Sequence, residues 1–120
     1  LVLQPNIHAH HIREWLYQEG YALINEEILE EDGKYYEVLV AEAGDRDAAY
    51  DGISFAAGML VGPFLAKQKN AVFIKKWSQE LKHTENIYQQ IEAALPSAEN
   101  QQKLLELSKR IEVLKEVLRR

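Results

Sequence analysis

Two strand-like runs meet at Asp32-Gly33, and that dipeptide constrains the fold of this chain more than any other pair of residues. Asp-Gly readily takes the positive backbone angles of a two-residue hairpin turn, so the runs on either side must lie antiparallel. The turn sets Glu31 opposite Lys34, an opposite-charge cross-strand pair. The first run starts at Tyr21-Ala22-Leu23-Ile24, and the return run, Tyr35-Tyr36-Glu37-Val38-Leu39-Val40-Ala41, is rich in aromatic and branched residues. Upstream, Ile12, Trp15 and Leu16 recur at i, i+3 and i+4, as in an amphipathic helix, and Gly20 stops it. Before that helix, Leu1-Val2-Leu3-Gln4-Pro5-Asn6 reads as an apolar strand of the kind covered on both faces in a parallel sheet. Asn6 is placed to cap the helix. The order predicts a right-handed parallel crossover between the first two strands and an antiparallel third. One buried strand needs neighbours, so Leu1 is read as a cut point in a longer protein.

Beyond the polar turn Gly44-Asp45-Arg46-Asp47, residues 51–66 are apolar and interrupted by glycine, with no pattern that assigns them an element. From Ile74 a new period takes over. Ile74, Trp77, Leu81, Thr84, Tyr88, Ile91 and Leu95 alternate spacings of three and four, a seam of period 3.5. Pro96 ends that helix, Ser97 can cap the next, and Leu104, Leu107, Ile111, Leu114 and Leu118 repeat the spacing. So short a connection predicts an antiparallel two-helix hairpin with coiled-coil-like packing. The expected organisation is α/β over residues 1–43, a connecting segment over 44–70 and a helical hairpin over 71–120.

The chain carries no cysteine, which excludes disulfide frameworks, thiolate zinc sites and thiol nucleophiles, and fits a reducing cytoplasm. Its longest uncharged stretch is too short for a membrane span. Net charge is −5, divided unevenly: residues 1–62 hold 12 acids against Arg13, Lys34 and Arg46, whereas residues 63–120 hold 11 Lys and Arg against 7 Glu. The basic end is the candidate surface for a polyanion. Lys67, Lys69, Lys75 and Lys76 crowd the start of the first long helix, and Arg119 and Arg120 end the second. An antiparallel hairpin would gather them at one pole as a phosphate-binding patch.

Asn6 follows the carboxyl end of a predicted parallel strand, the edge at which open α/β sheets bind ligands, and its amide suits the edge of a nucleobase. His8, His10 and His11 cluster nearby, but without a HExxH glutamate or a cysteine they read as solvated or groove-lining histidines and not as a metal site. Glu26, Glu27, Glu30, Glu31 and Asp32 read as a solvated sheet edge, since charged edges keep sheets apart. Gly58 and Gly62 form a GxxxG that carries little weight outside a membrane. No nucleophilic triad and no phosphate-cradling glycine loop is present.

The segments LVLQPNIHAHHIREWLYQEGY, EEILEEDGKYYEVLVAEAG and LVGPFLAKQKNAVFIKKW resemble the C-terminal half of the bacterial tRNA (adenine(22)-N(1))-methyltransferases, along essentially the whole chain. The resemblance implies the C-terminal part of a class I, Rossmann-like methyltransferase sheet followed by a helical domain that contacts tRNA. It implies S-adenosylmethionine as cofactor, bound mainly by strands upstream of this chain, and tRNA as partner. Of this sequence, the Gln4-Pro5-Asn6 corner would face the target-base pocket, so Pro5 and Asn6 are the expected catalytic residues. The chain alone is then expected to be inactive. The competing reading is a non-catalytic helical interaction or dimerisation module; a metalloprotein built on the histidines is weaker.

Overall fold

A computed structural model describes residues 1–5 and 8–119. These group into two compact units, Leu1–Phe73 and Ile74–Arg120. The first holds strands β1 (Val2–Leu3), β2 (Tyr21–Glu31) and β3 (Lys34–Ala43), with helices α1 (Ala9–Gln18), α2 (Phe55–Val61) and α3 (Pro63–Gln68) and a 3-10 turn at Ala48–Tyr50.

The hairpin forms at the predicted turn, with positive φ at both Asp32 (52°) and Gly33 (76°) and with Glu31 paired to Lys34. Its register runs back to Tyr21 opposite Ala43 and is broken once, between Leu23 and Asn25. The sheet order is β1-β3-β2, and β1 pairs antiparallel with β3 through Val2↔Val40 and Leu3↔Leu39. The parallel connection through α1 and the antiparallel third strand are as expected from the sequence; what the sequence did not place is β3 between them. β1 and β2 point the same way, but β3 lies between them, so α1 joins strands that are not hydrogen-bonded to each other. In this chain taken alone Leu1 and Val2 are 56% and 71% exposed, and pairing stops before Pro5, which has no N–H to give to a ladder.

α1 begins at Ala9, with His8 in the cap position in the left-handed region (φ 57°, ψ 41°) and making no side-chain cap. The expected cap, Asn6, lies outside the described residues. Leu16 and Ala9 join Leu23, Leu39, Ala41 and Ala49 in the core. Trp15, expected on the apolar face, is instead exposed and stacks on Tyr21 at 6.0 Å. The unassigned 51–66 segment contains α2 and the start of α3: Ser54 Oγ accepts from Ala57 N at 3.2 Å to open α2, and Gly62 (φ 94°) ends that helix so that Pro63 can start α3. At 7 and 6 residues, neither is long enough to display a helical period.

Asn70 Oδ1 accepts from Phe73 N at 2.9 Å and so caps α4 (Ala71–Ala93). The second unit contains the remainder of α4 and α5 (Ala98–Arg119), where Ser97 Oγ accepts from Asn100 N at 3.0 Å, as its position predicts. Trp77, Thr84, Leu114 and Val117 are buried. Other seam residues are half-buried, while Ile74 and Leu95 are exposed; Leu95 lies two residues past the end of α4, where helical periodicity no longer aims side chains. Arg110 bridges Glu80 at 3.2 Å and Lys115 bridges Glu85 at 3.8 Å, and a groove is lined by Ile87, Ile91, Lys103, Glu106, Leu107 and Arg110. No described helix is long and apolar enough to cross a membrane.

Candidate functional site

A buried cation joins the elements of the first unit. Arg13, fully shut off from solvent on α1, donates from Nε to Glu26 Oε2 on β2 at 2.6 Å and from Nη2 to Glu37 Oε1 on β3. Its Nη1 reaches the carbonyls of Met59 and Leu60 in α2, each at 3.4 Å. Glu26 Oε1 then accepts from the Phe64 and Leu65 N–H groups at 2.9 and 3.4 Å, so a carboxylate from β2 caps α3. One guanidinium fork therefore holds a helix, two strands and the LVGPFLAKQKN segment in one arrangement.

Glu26 is a correction to the solvated acidic edge. Glu27, Glu30, Glu31 and Asp32 are exposed as expected, but Glu26 has no exposed surface. The irregularity between Leu23 and Asn25 shifts the strand's alternation, so the inward set changes from Leu23 to Glu26 and Ile28. Counting by twos from Leu23 points Asn25 and Glu27 inward and misses Glu26. In the sequence, the GxxxG glycines are the signal for this cluster. A Cβ on Gly62 would lie 2.7 Å from both Arg13 Nη2 and Glu26 Oε1, and one on Gly58 would lie 2.7 Å from Tyr50 Cδ1.

Charge follows from this packing. Burial raises the Glu26 carboxyl above the usual carboxylate range despite the opposing pull of Arg13, because one cation is shared by two acids. For Arg13 burial pushes downward, yet Glu26 and Glu37 together leave its pKa raised, so it is a permanent cation. Burial also lifts the Tyr50 hydroxyl to about 12.

At the amino-terminal corner Gln4 is exposed and Pro5 half-buried, whereas Asn6 falls outside the described residues. Immediately beyond, His8, His10 and His11 converge: their ring centroids are 4.1 to 5.8 Å apart, and one ligand atom from each lies within 4.8 Å of the others. Helical spacing brings together only positions 8 and 11. The left-handed backbone of His8 accompanies the gathering of all three.

Of the candidate polyanion contacts, Lys67 on α3 is exposed and stands 6.0 Å from the Phe64 ring centroid, and Lys69 occupies the α3 cap position with φ 49°. On α4, Lys75 is exposed while the Lys76 ammonium lies 4.7 Å over the Trp77 indole. Arg119 pairs with Glu116 at 3.5 Å, and Arg120 lies outside the described residues.

The family model for tRNA (adenine(22)-N(1))-methyltransferase matches residues 1–116. The chain belongs to the tRNA (adenine(22)-N(1))-methyltransferase family. A Bacillus subtilis (strain 168) member of that name is 75% identical over 118 residues, 98% of this chain and 50% of the relative. The crystal structure of the B. subtilis tRNA methyltransferase TrmK superposes with a TM-score of 0.95 at 74% identity, covering 98% of this chain and 50% of its own. A Streptococcus pneumoniae protein solved with S-adenosyl-L-methionine aligns at TM-score 0.75 and 36% identity, over 98% of this chain and 46% of its own. The chain thus spans about half the length of the methyltransferases it matches.

Proposed function

We propose that this chain is the C-terminal part of an S-adenosylmethionine-dependent tRNA (adenine-N(1))-methyltransferase of the cytoplasm, supplying the end of the catalytic-domain sheet and a helical unit that holds tRNA. The observation that carries the reading is the family match across residues 1–116, joined to close superposition on a tRNA methyltransferase. In this reading residues 1–43 close the Rossmann-like sheet, 44–70 connect, and 71–120 form an antiparallel, coiled-coil-like hairpin.

The cofactor supplies an electrophilic methyl group on a sulfonium. The nucleophile is the lone pair of adenine N1, which has no proton to lose, so no general base is required of this chain. Its task is to orient the base and exclude water, with the Pro5-Asn6 corner against the base edge. N1 lies on the pairing edge, so the target adenine must be unpaired to reach the pocket. Lys67, Lys69, Lys75, Lys76, Arg119 and Arg120 then carry phosphate contacts.

Methylation assays on the full-length protein test this. Asn6→Ala should lower turnover more than tRNA affinity, and Asn6→Asp, which keeps the capping ability, should remain impaired. A fully active Asn6→Asp enzyme reduces Asn6 to a helix cap. The 120-residue chain alone should transfer no methyl group and should give no calorimetric signal with S-adenosylmethionine, because it holds no glycine-bearing cofactor loop. Saturable micromolar binding would overturn that assignment.

The second reading, a helical interaction or dimerisation module, draws on the exposure of Leu95 (87%) and Leu105. Sedimentation tests it: concentration-dependent association abolished by Leu95→Ser and Leu105→Ser would favour it.

A further inference from the structure

We propose that His8, His10 and His11 form a binding site for a borderline divalent metal ion of the zinc class, independent of the methyltransferase reading. This departs from the solvated histidines expected from sequence, and geometry is the reason. Spacing alone offers two imidazoles on one helix face, and two such ligands at a surface are weak chelators. The structure brings a third to them, with one ligand atom from each residue within 4.8 Å of the other two. A tetrahedral ion at about 2.1 Å from each nitrogen requires separations of roughly 3.4 Å, which small rotations of side chains at the surface can close.

Two further features belong to the same arrangement. His8 is one of three non-glycine described residues with positive φ, at 57°, and its side chain makes no cap to α1 that would account for the conformation. His11 turns Nδ1 toward Glu14 Oε2 at 3.8 Å. At that separation there is no hydrogen bond, so Glu14 contributes negative charge beside the cluster and does not orient the ring. Three imidazoles without thiolates select zinc, cobalt or nickel over magnesium or calcium, and three protein ligands leave an open coordination position.

Titration of the 120-residue chain with Zn2+ against a chromophoric chelator, and with Co2+ followed by its visible d–d bands, tests the site. One equivalent should bind with micromolar affinity. His8→Ala, His10→Ala and His11→Ala should each weaken binding at least tenfold, and Glu14→Gln by less, through the lost nearby charge. His83→Ala, which removes the remaining histidine of the chain, should change nothing. Helical circular dichroism verifies that each variant is folded. Failure to bind Zn2+ more tightly than about 100 μM, or an unchanged affinity in His10→Ala, would overturn the three-histidine site; the latter result would mean adventitious chelation by His8 and His11. Neither outcome bears on methyl transfer, which is measured separately.

Discussion

Arg13 Nε lies 2.6 Å from Glu26 Oε2, and both side chains are sealed from water. The same guanidinium also meets Glu37, so a single residue of α1 is the shared counter-charge for acids brought in by two strands. Removing the cation would leave two acids desolvated with no counter-charge.

Arg13→Met should therefore destabilise the chain by about 3–5 kcal/mol, the range for breaking a buried pair from one side. Arg13→Lys should cost less, since it keeps the charge and loses only the fork. Urea denaturation followed by circular dichroism measures both. A loss under about 1 kcal/mol for Arg13→Met would show that water reaches the acids.

Gly62 faces this cluster with φ 94° and no room for a methyl group. Gly62→Ala should cost about 1–3 kcal/mol from the backbone, and more from the close approach of its Cβ to Arg13 and Glu26. Gly20→Ala is the comparison: its φ is also positive, but nothing lies within 4 Å of its would-be Cβ, so it should cost less. Equal losses at the two positions would remove the packing argument.

Glu26 makes stability depend on pH. Its carboxyl is raised by burial, so the native state binds a proton more readily than the unfolded chain does. That contribution is fully present below the unfolded pKa of ~4.3 and is lost as pH climbs through the higher folded value. In that window wild-type stability should fall with rising pH relative to Glu26→Gln. Denaturation midpoints of both proteins across mildly acidic pH measure the difference, and parallel curves would contradict it.

Neutralising Lys75 and Lys76 tests the phosphate contacts. In the full-length protein, Lys75→Gln with Lys76→Gln should weaken tRNA binding and reduce the slope of log affinity against log salt by roughly one unit per lost contact. Lys76 also lies over Trp77, so helical circular dichroism must be compared. Wild-type affinity and slope with unchanged helicity would make these lysines a solvated face.

The sequence by itself determined the local features of this protein. Asp32-Gly33 set the hairpin and the Glu31–Lys34 register, Ser97 opened α5 after Pro96, and the motif residues pointed to the methyltransferase family. Each depends on residues close along the chain, where turn chemistry and helical period act directly. Only the tertiary structure decided that β3 separates β1 from β2, that α2 and α3 form over residues 55–61 and 63–68, and that Glu26 points inward beside Arg13. Strand pairing joins segments about 40 residues apart, and a single irregularity at Leu23 and Asn25 reverses which face of β2 is buried. The gathering of His8, His10 and His11 was likewise invisible to helical spacing, because it accompanies a left-handed residue that a period of 3.6 does not anticipate.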